Sequence, residues 1–173
     1  MIMIIIVDMK TAQVINNKKG FTLIELLVVI GILAVLLAIT LIAINPAKQF
    51  AQANNTKRRS DVNAILNAID QYAADNKGLL PTGIATSCTD PAHPCYLSND
   101  SAVSDKVDIC AALVTKYLAA LPADPQTATG GLPVTDCTAT YNARYTVLQS
   151  TSDNRVTVTA PDAELGESIT VTR

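Results

Sequence analysis

The sequence predicts an α+β protein: a long N-terminal α-helix, membrane-spanning in its first half and amphipathic in its second, packed on a small three-stranded antiparallel sheet. Three observations carry this reading. From Phe21 to Ile44 the only charged side chain is Glu25. Val62, Ile65, Leu66, Ile69, Tyr72 and Ala73 then recur at helical spacing. In the last third, apolar residues alternate with period two.

The helix begins with the apolar run. At ~1.5 Å per residue, the stretch from Leu26 to Ile44 covers most of a hydrocarbon core ~30 Å thick. A lone carboxylate in such a helix is costly, roughly 2.5 to 3.5 kcal/mol at the bilayer centre and less near its edge. Glu25 therefore needs a neutralising partner, or it snorkels to water. Lys18-Lys19-Gly20 precede the run, then bulky Phe21, with the acid at the fifth position counted from Phe21.

Lys18-Lys19-Gly20-Phe21 with Glu25 resembles the class III signal of type IV pilins and of the pseudopilins of type II secretion systems. The resemblance is dense within the signal and continues loosely to about Gly78. It implies that a prepilin peptidase cleaves between Gly20 and Phe21 and methylates the Phe21 nitrogen. It also implies that Glu25 pairs with the α-amino group of Phe21 on a neighbouring subunit during assembly. The fold it implies is the pilin lollipop: residues 1–20 a leader, 21–46 a transmembrane and polymerisation helix, 47–78 its amphipathic half, and 79–173 a disulfide-containing globular head. An ordinary secretory signal is the plainer reading of Lys-Lys-Gly, but the apolar run exceeds the usual h-region and no small-x-small cleavage site follows it.

The leader itself is unusual. Met1 to Val7 is apolar yet far too short to span a bilayer, and a start at Met9 gives a short basic leader of the kind usual in the family. Loss of residues 1–20 removes three lysines and one aspartate, moving the formal charge from −2 to −4. The exported part is acidic, so the footprint of a nucleic-acid binder is missing. Basic residues flank the span on both sides, Lys10, Lys18 and Lys19 before it and Lys48, Lys57, Arg58 and Arg59 after it. The positive-inside rule therefore barely chooses an orientation, and the cytoplasmic N-terminus is what the processing signal implies.

Asn45-Pro46 interrupts the helix, because proline lacks the N–H and clashes with the preceding turn. Beyond it, helix is expected from Ala47 to Lys77, with Gly78 as C-cap. Lys57-Arg58-Arg59 is placed on its polar side or margin. That cluster reads as a solvated face, as a patch meeting acidic heads of adjacent subunits, or as a contact to DNA or lipid phosphate.

Leu80 to Ser104 reads as a loop. Its Cys88-to-Cys95 segment includes His93, the one histidine of the chain. Four cysteines allow three pairings. The favoured one joins Cys88 with Cys95 and Cys110 with Cys137, as suits an exported head. A metal set of Cys88, His93, Cys95 and Cys110 has no standard zinc spacing, and no metal or other cofactor is expected. Ser104 to Leu121 reads as a helix with Val107, Cys110, Val114, Tyr117, Leu118 and Leu121 buried. The Leu121-Pro-Ala-Asp124-Pro run after it is similar to one in major pseudopilins. Three strands follow, around Tyr141 to Val147, Val156 to Val158 and Ile169 to Val171, as an antiparallel meander. Asp162, Glu164 and Glu167 offer oxygen ligands for Ca²⁺, but a solvated turn is the plainer reading.

No nucleophile, base and orienting group are spaced as a catalytic site requires, so a structural role is expected and not an enzyme. The resemblance implies a pilus-like filament subunit. Its partners would be further copies of itself, prepilin peptidase, an assembly platform protein, an assembly ATPase and, before assembly, membrane lipid. It would be a single-pass membrane protein first and an extracellular filament afterwards. A minor pilin or pseudopilin that primes or tips a fibre, and a signal-anchored monomeric ectodomain, are the competing readings.

Overall fold

The computed structural model describes residues 20–173. The leader residues before Gly20, with the alternative start at Met9 and Lys18-Lys19, lie outside the described residues. The described residues divide into two compact units between Ile44 and Asn45.

In the first unit, α1 runs from Leu23 to Ile44, 22 residues with none buried. Its length, about 33 Å at 1.5 Å per residue, matches the thickness of a hydrocarbon core. The hydroxyl of Thr40 donates to the Leu37 carbonyl at 2.9 Å, so this polar atom is satisfied within the helix, as an apolar surrounding demands.

Asn45 separates the helices. Its φ of 48° is left-handed, a conformation asparagine tolerates better than most residues. Its side-chain oxygen accepts from the Lys48 amide at 3.4 Å. Pro46 is the first residue of the next helix, where a missing N–H costs nothing. The second unit thus opens with α2, Pro46–Asp75. The helix ends two residues earlier than the sequence suggested, with Lys77 and Gly78 both at positive φ and the Gly78 amide returning to Ala73 O at 2.8 Å.

The remaining elements are α3 (Ile84–Ser87), β1 (Cys95–Ser98), β2 (Lys106–Val107), α4 (Cys110–Leu113), β3 (Asn142–Gln149), β4 (Val156–Ala160) and β5 (Ile169–Thr172). The expected antiparallel meander is present as β3, β4 and β5. The expectation of three antiparallel strands is nevertheless corrected: the sheet has five strands in the order β2-β1-β3-β4-β5. β1 pairs antiparallel with β3, and β2 runs parallel to β1, so the sheet is mixed. The predicted helix from Ser104 to Leu121 shrinks to the single turn of α4, because Val114 is extended and Thr115 takes φ 72°. Its apolar residues are still inside: Val107, Cys110, Val114 and Leu121 are all buried.

The core lies between α2 and the sheet. Val62, Ile65, Leu66 and Ile69 meet a sheet face of Tyr145, Val147, Val156, Val158 and Ile169, and all of these are buried. Each aliphatic side chain so placed contributes on the order of 1.5 to 3 kcal/mol. On the outer face, Thr157 pairs with Thr172 and Thr159 with Thr170, hydroxyl to hydroxyl at 2.9 and 3.2 Å. Disulfides join Cys88 to Cys95 and Cys110 to Cys137. They fasten the β1 entry and α4 to their neighbouring loops.

Candidate functional site

The start of α1 is a capping box. The Thr22 amide and hydroxyl both donate to Glu25 Oε2, at 2.8 and 2.7 Å, and the Glu25 amide returns to Thr22 Oγ1 at 3.3 Å. This reciprocal Thr-x-x-Glu arrangement satisfies amides that a helix start leaves bare. It also gives the lone acid of the apolar run a local partner, which the sequence reading did not foresee although Thr22 and Glu25 have capping-box spacing. Only one carboxylate oxygen is engaged; Oε1 accepts no hydrogen bond among the described residues. Gly20 has open space around its Cα and Phe21 is 91% exposed, so the peptide bond between them is accessible.

The basic cluster Lys57-Arg58-Arg59 is not one outward patch. Arg58 is wholly buried. Its Nε donates to Asp124 Oδ2 at 2.6 Å and its Nη2 to Oδ1 at 3.1 Å, a bidentate pair, while Nη1 donates to Glu164 Oε2 at 2.8 Å and Asn55 Oδ1 at 3.0 Å. Buried guanidinium needs such saturation, since an uncompensated charge in the interior is prohibitive. Lys57 Nζ donates to the carbonyls of Ala123 and Gly131 at 2.7 and 3.1 Å, and Arg59 pairs with Glu167. The three cations fasten two loops to α2. The reading of the cluster as an inter-subunit patch is corrected for Arg58, which has no surface to offer.

The three acids considered for Ca²⁺ are placed on separate cations: Asp162 on Arg144 at 2.8 Å, Glu164 on Arg58 and Glu167 on Arg59. Asn55 adds a two-way bond to the Glu164 backbone, donating to its carbonyl at 2.8 Å and accepting from its amide at 2.9 Å. Hydrogen bonds from Asn54 and Arg58 hold the Glu164 carboxyl below its usual range. The cysteines of the conceivable metal set are all in disulfides, and His93 is exposed with Nδ1 3.4 Å from Asp105. Two residues that sequence reasoning missed, Asp124 and Asn55, complete the clamp.

The head also carries a cleft of about 520 Å³ between the 123–136 loop and the start of β3. Its walls include Ala128, Leu132, Pro133, Val134 and Ala139, with Asp100, Asp136 and Arg144 at its polar margin.

An unburied apolar helix long enough to cross a membrane, with a single acid in its first turn, joined to a disulfide-bridged α+β unit, fits a single-pass membrane-anchored protein. Residues 15–41 match the family model described as the prokaryotic N-terminal methylation motif. That match supports the type IV pilin and pseudopilin family for this chain. No curated protein and no solved structure matches it.

Proposed function

We propose that the chain is a structural subunit of a type IV pilus-like filament, assembled through α1. The single observation that carries this reading is the methylation motif laid over an exposed apolar helix whose one acid keeps an oxygen free. Prepilin peptidase cuts after Gly20 and methylates Phe21. The new amine of one subunit then meets Glu25 of the next, which lowers the cost of carrying both charges into an apolar bundle. Exchange of lipid contacts for helix contacts needs work, supplied by an assembly ATPase through a platform protein in the membrane. The finished subunit is extracellular.

Two measurements test this. Mass spectrometry of the mature protein should find N-methyl-Phe21 as its first residue. Sheared surface material should contain the chain as filaments, seen by electron microscopy, and these should vanish on deletion of the gene. A processed chain that primes rather than builds the fibre would be scarce in that fraction, and a signal-anchored monomer would be absent from it. An intact N-terminus on the mature protein would overturn the proposal.

A further inference from the structure

The cleft beside β3 has stiff walls. The Asp124 carboxylate receives both arms of Arg58 and the Gln126 amide at 2.8 Å. Arg144 donates to Gln126 O at 2.9 Å, and the Gly131 amide donates to Thr127 Oγ1 at 2.9 Å. Gly131 has φ +76°, and a Cβ there would lie 2.8 Å from Pro125 Cα; only glycine lets the loop fold so closely. Leu132 follows it and is left 68% exposed on the cleft wall.

At the far end of α2 stands a complementary feature. Leu79 is 70% exposed. It is held by the C-terminal turn of α2, in which Lys77 and Gly78 take positive φ and the Leu79 amide donates to Asn76 O at 3.0 Å. Lys77 is exposed and makes no ion pair among the described residues. The cleft margin offers the opposite sign in Asp100 and Asp136, while Arg144 on the same margin is paired to Asp162 at 2.8 Å. Hydrogen bonds from the Thr138 hydroxyl and amide keep the Asp136 carboxyl below its usual range, hence ionised at neutral pH.

The two features are separated along one helix. The cleft loop is bonded to Lys57 through Gly131, whereas Leu79 lies beyond Asp75, the last residue of α2. From Lys57 to Asp75 the helix rises about 27 Å at 1.5 Å per residue. A knob at one end and a hole at the other make a head-to-tail contact between copies, which builds an open helical array wherever its rotation does not close into a ring, as a filament requires. The other exposed apolar side chains of this unit lack that separation. Leu165 sits on the loop whose Asp162 is paired to cleft residue Arg144, and Phe50 belongs to the opening turns of α2.

We propose that Leu79 of one copy seats in the cleft of a second copy, against Ala128, Leu132, Pro133 and Val134, with Lys77 set against Asp136. The contact rests on the filament reading, and it adds a joint between heads to the contacts between α1 helices.

The test uses the full chain in its own host. A benzophenone amino acid replaces Leu79, intact filaments are irradiated, and the crosslinked peptides are mapped. Crosslinks landing in residues 128–136 of another copy are the expected result. Filaments whose crosslinks land elsewhere, or that give no crosslink between copies, overturn the contact alone. A wild-type chain that forms no filaments overturns the filament reading and the contact with it. Charge exchange supplies an independent arm: Lys77→Glu should cut filament yield several-fold, and Asp136→Lys in the same chain should restore it. Failure of that rescue, with both variants folded, also sinks the contact.

Discussion

Arg58 and Asp124, 66 positions apart in the chain, face each other inside the head through two parallel hydrogen bonds, and neither side chain has any exposed surface. Removing one partner leaves the other charged and buried, which costs about 3 to 5 kcal/mol. Arg58→Met should therefore lower the unfolding free energy of the detergent-solubilised chain by that amount in urea titrations followed by circular dichroism. The double variant Arg58→Met with Asp124→Leu should recover much of the loss, because it removes the fully buried pair together and leaves only Glu164, part-exposed and still bonded to Asn54, without its cation. If Arg58→Met unfolds like the wild type, the guanidinium is solvated and the clamp is misread.

Glu25 caps α1, and the proposed function gives it a second, separable role as a charge. Glutamine serves a capping box nearly as well as glutamate, so Glu25→Gln should preserve α1 while removing the charge, and sheared filament yield should collapse. Thr22→Val removes the cap, worth about 1 kcal/mol, but keeps the acid, and should leave filaments near normal abundance. Normal yield from Glu25→Gln would mean that the acid acts only locally.

The pH dependence of the head has two limbs. The Glu164 carboxyl is held below its ordinary value of 4.5 by Asn54 and Arg58. Its contribution is present above that value and is lost as pH falls through the lowered native one. Glu164→Gln should flatten the acid limb of stability below about pH 4.5. In the other direction, burial and the Asp61 carboxylate push the Tyr145 phenol above its ordinary 10.0, and the phenol donates to Asp61 at 2.7 Å. This contribution is complete below pH ~10, where the unfolded phenol is still protonated, and fades as pH rises beyond it. Tyr145→Phe should make the alkaline limb shallower, as measured by urea midpoints between about pH 9 and 11.

The disulfides differ in what they constrain. Cys110–Cys137 spans 27 positions and Cys88–Cys95 spans 7. By loop entropy these correspond to about 3.5 and about 2.4 kcal/mol at 25 °C. The paired substitution Cys110→Ser with Cys137→Ser should thus lower the melting temperature of the head further than Cys88→Ser with Cys95→Ser. The reverse order in a thermal scan would show that native contacts, not loop length, decide.

Much of this architecture is written in patterns that survive without tertiary information. The apolar run, the break at Asn45-Pro46, the stripe of Val62, Ile65, Leu66 and Ile69 and the three alternating strands are each local. What stayed hidden depends on distant partners. β1 has four residues, just after a proline, and β2 only two, too short for any periodicity; β1 is a strand because β3 offers it an edge, and β2 because β1 then does. The stretch from Ser104 to Leu121 has helical spacing in its apolar residues, yet burial was achieved by a turn and an extended segment instead. Residue type alone places Arg58 at the polar margin, because arginine is rarely wholly buried. Its position told otherwise: Arg58 stands four before Val62 and seven before Ile65, in line with the stripe. Asn55 and Ala51 continue that line, and both are buried. The residue type hid what the spacing showed.

The left-handed Asn45 has a practical corollary. It carries its own side-chain cap for α2 and hands Pro46 the first helical position, so the second helix does not borrow its beginning from the first. Among the described residues every buried apolar residue of the core lies at or after Ala51, and both sulfur bridges lie beyond it. A truncated gene product opening at Asn45 would retain the cap, the clamp and the crosslinks while discarding the greasy segment, giving a soluble fragment suited to crystallisation or titration without detergent.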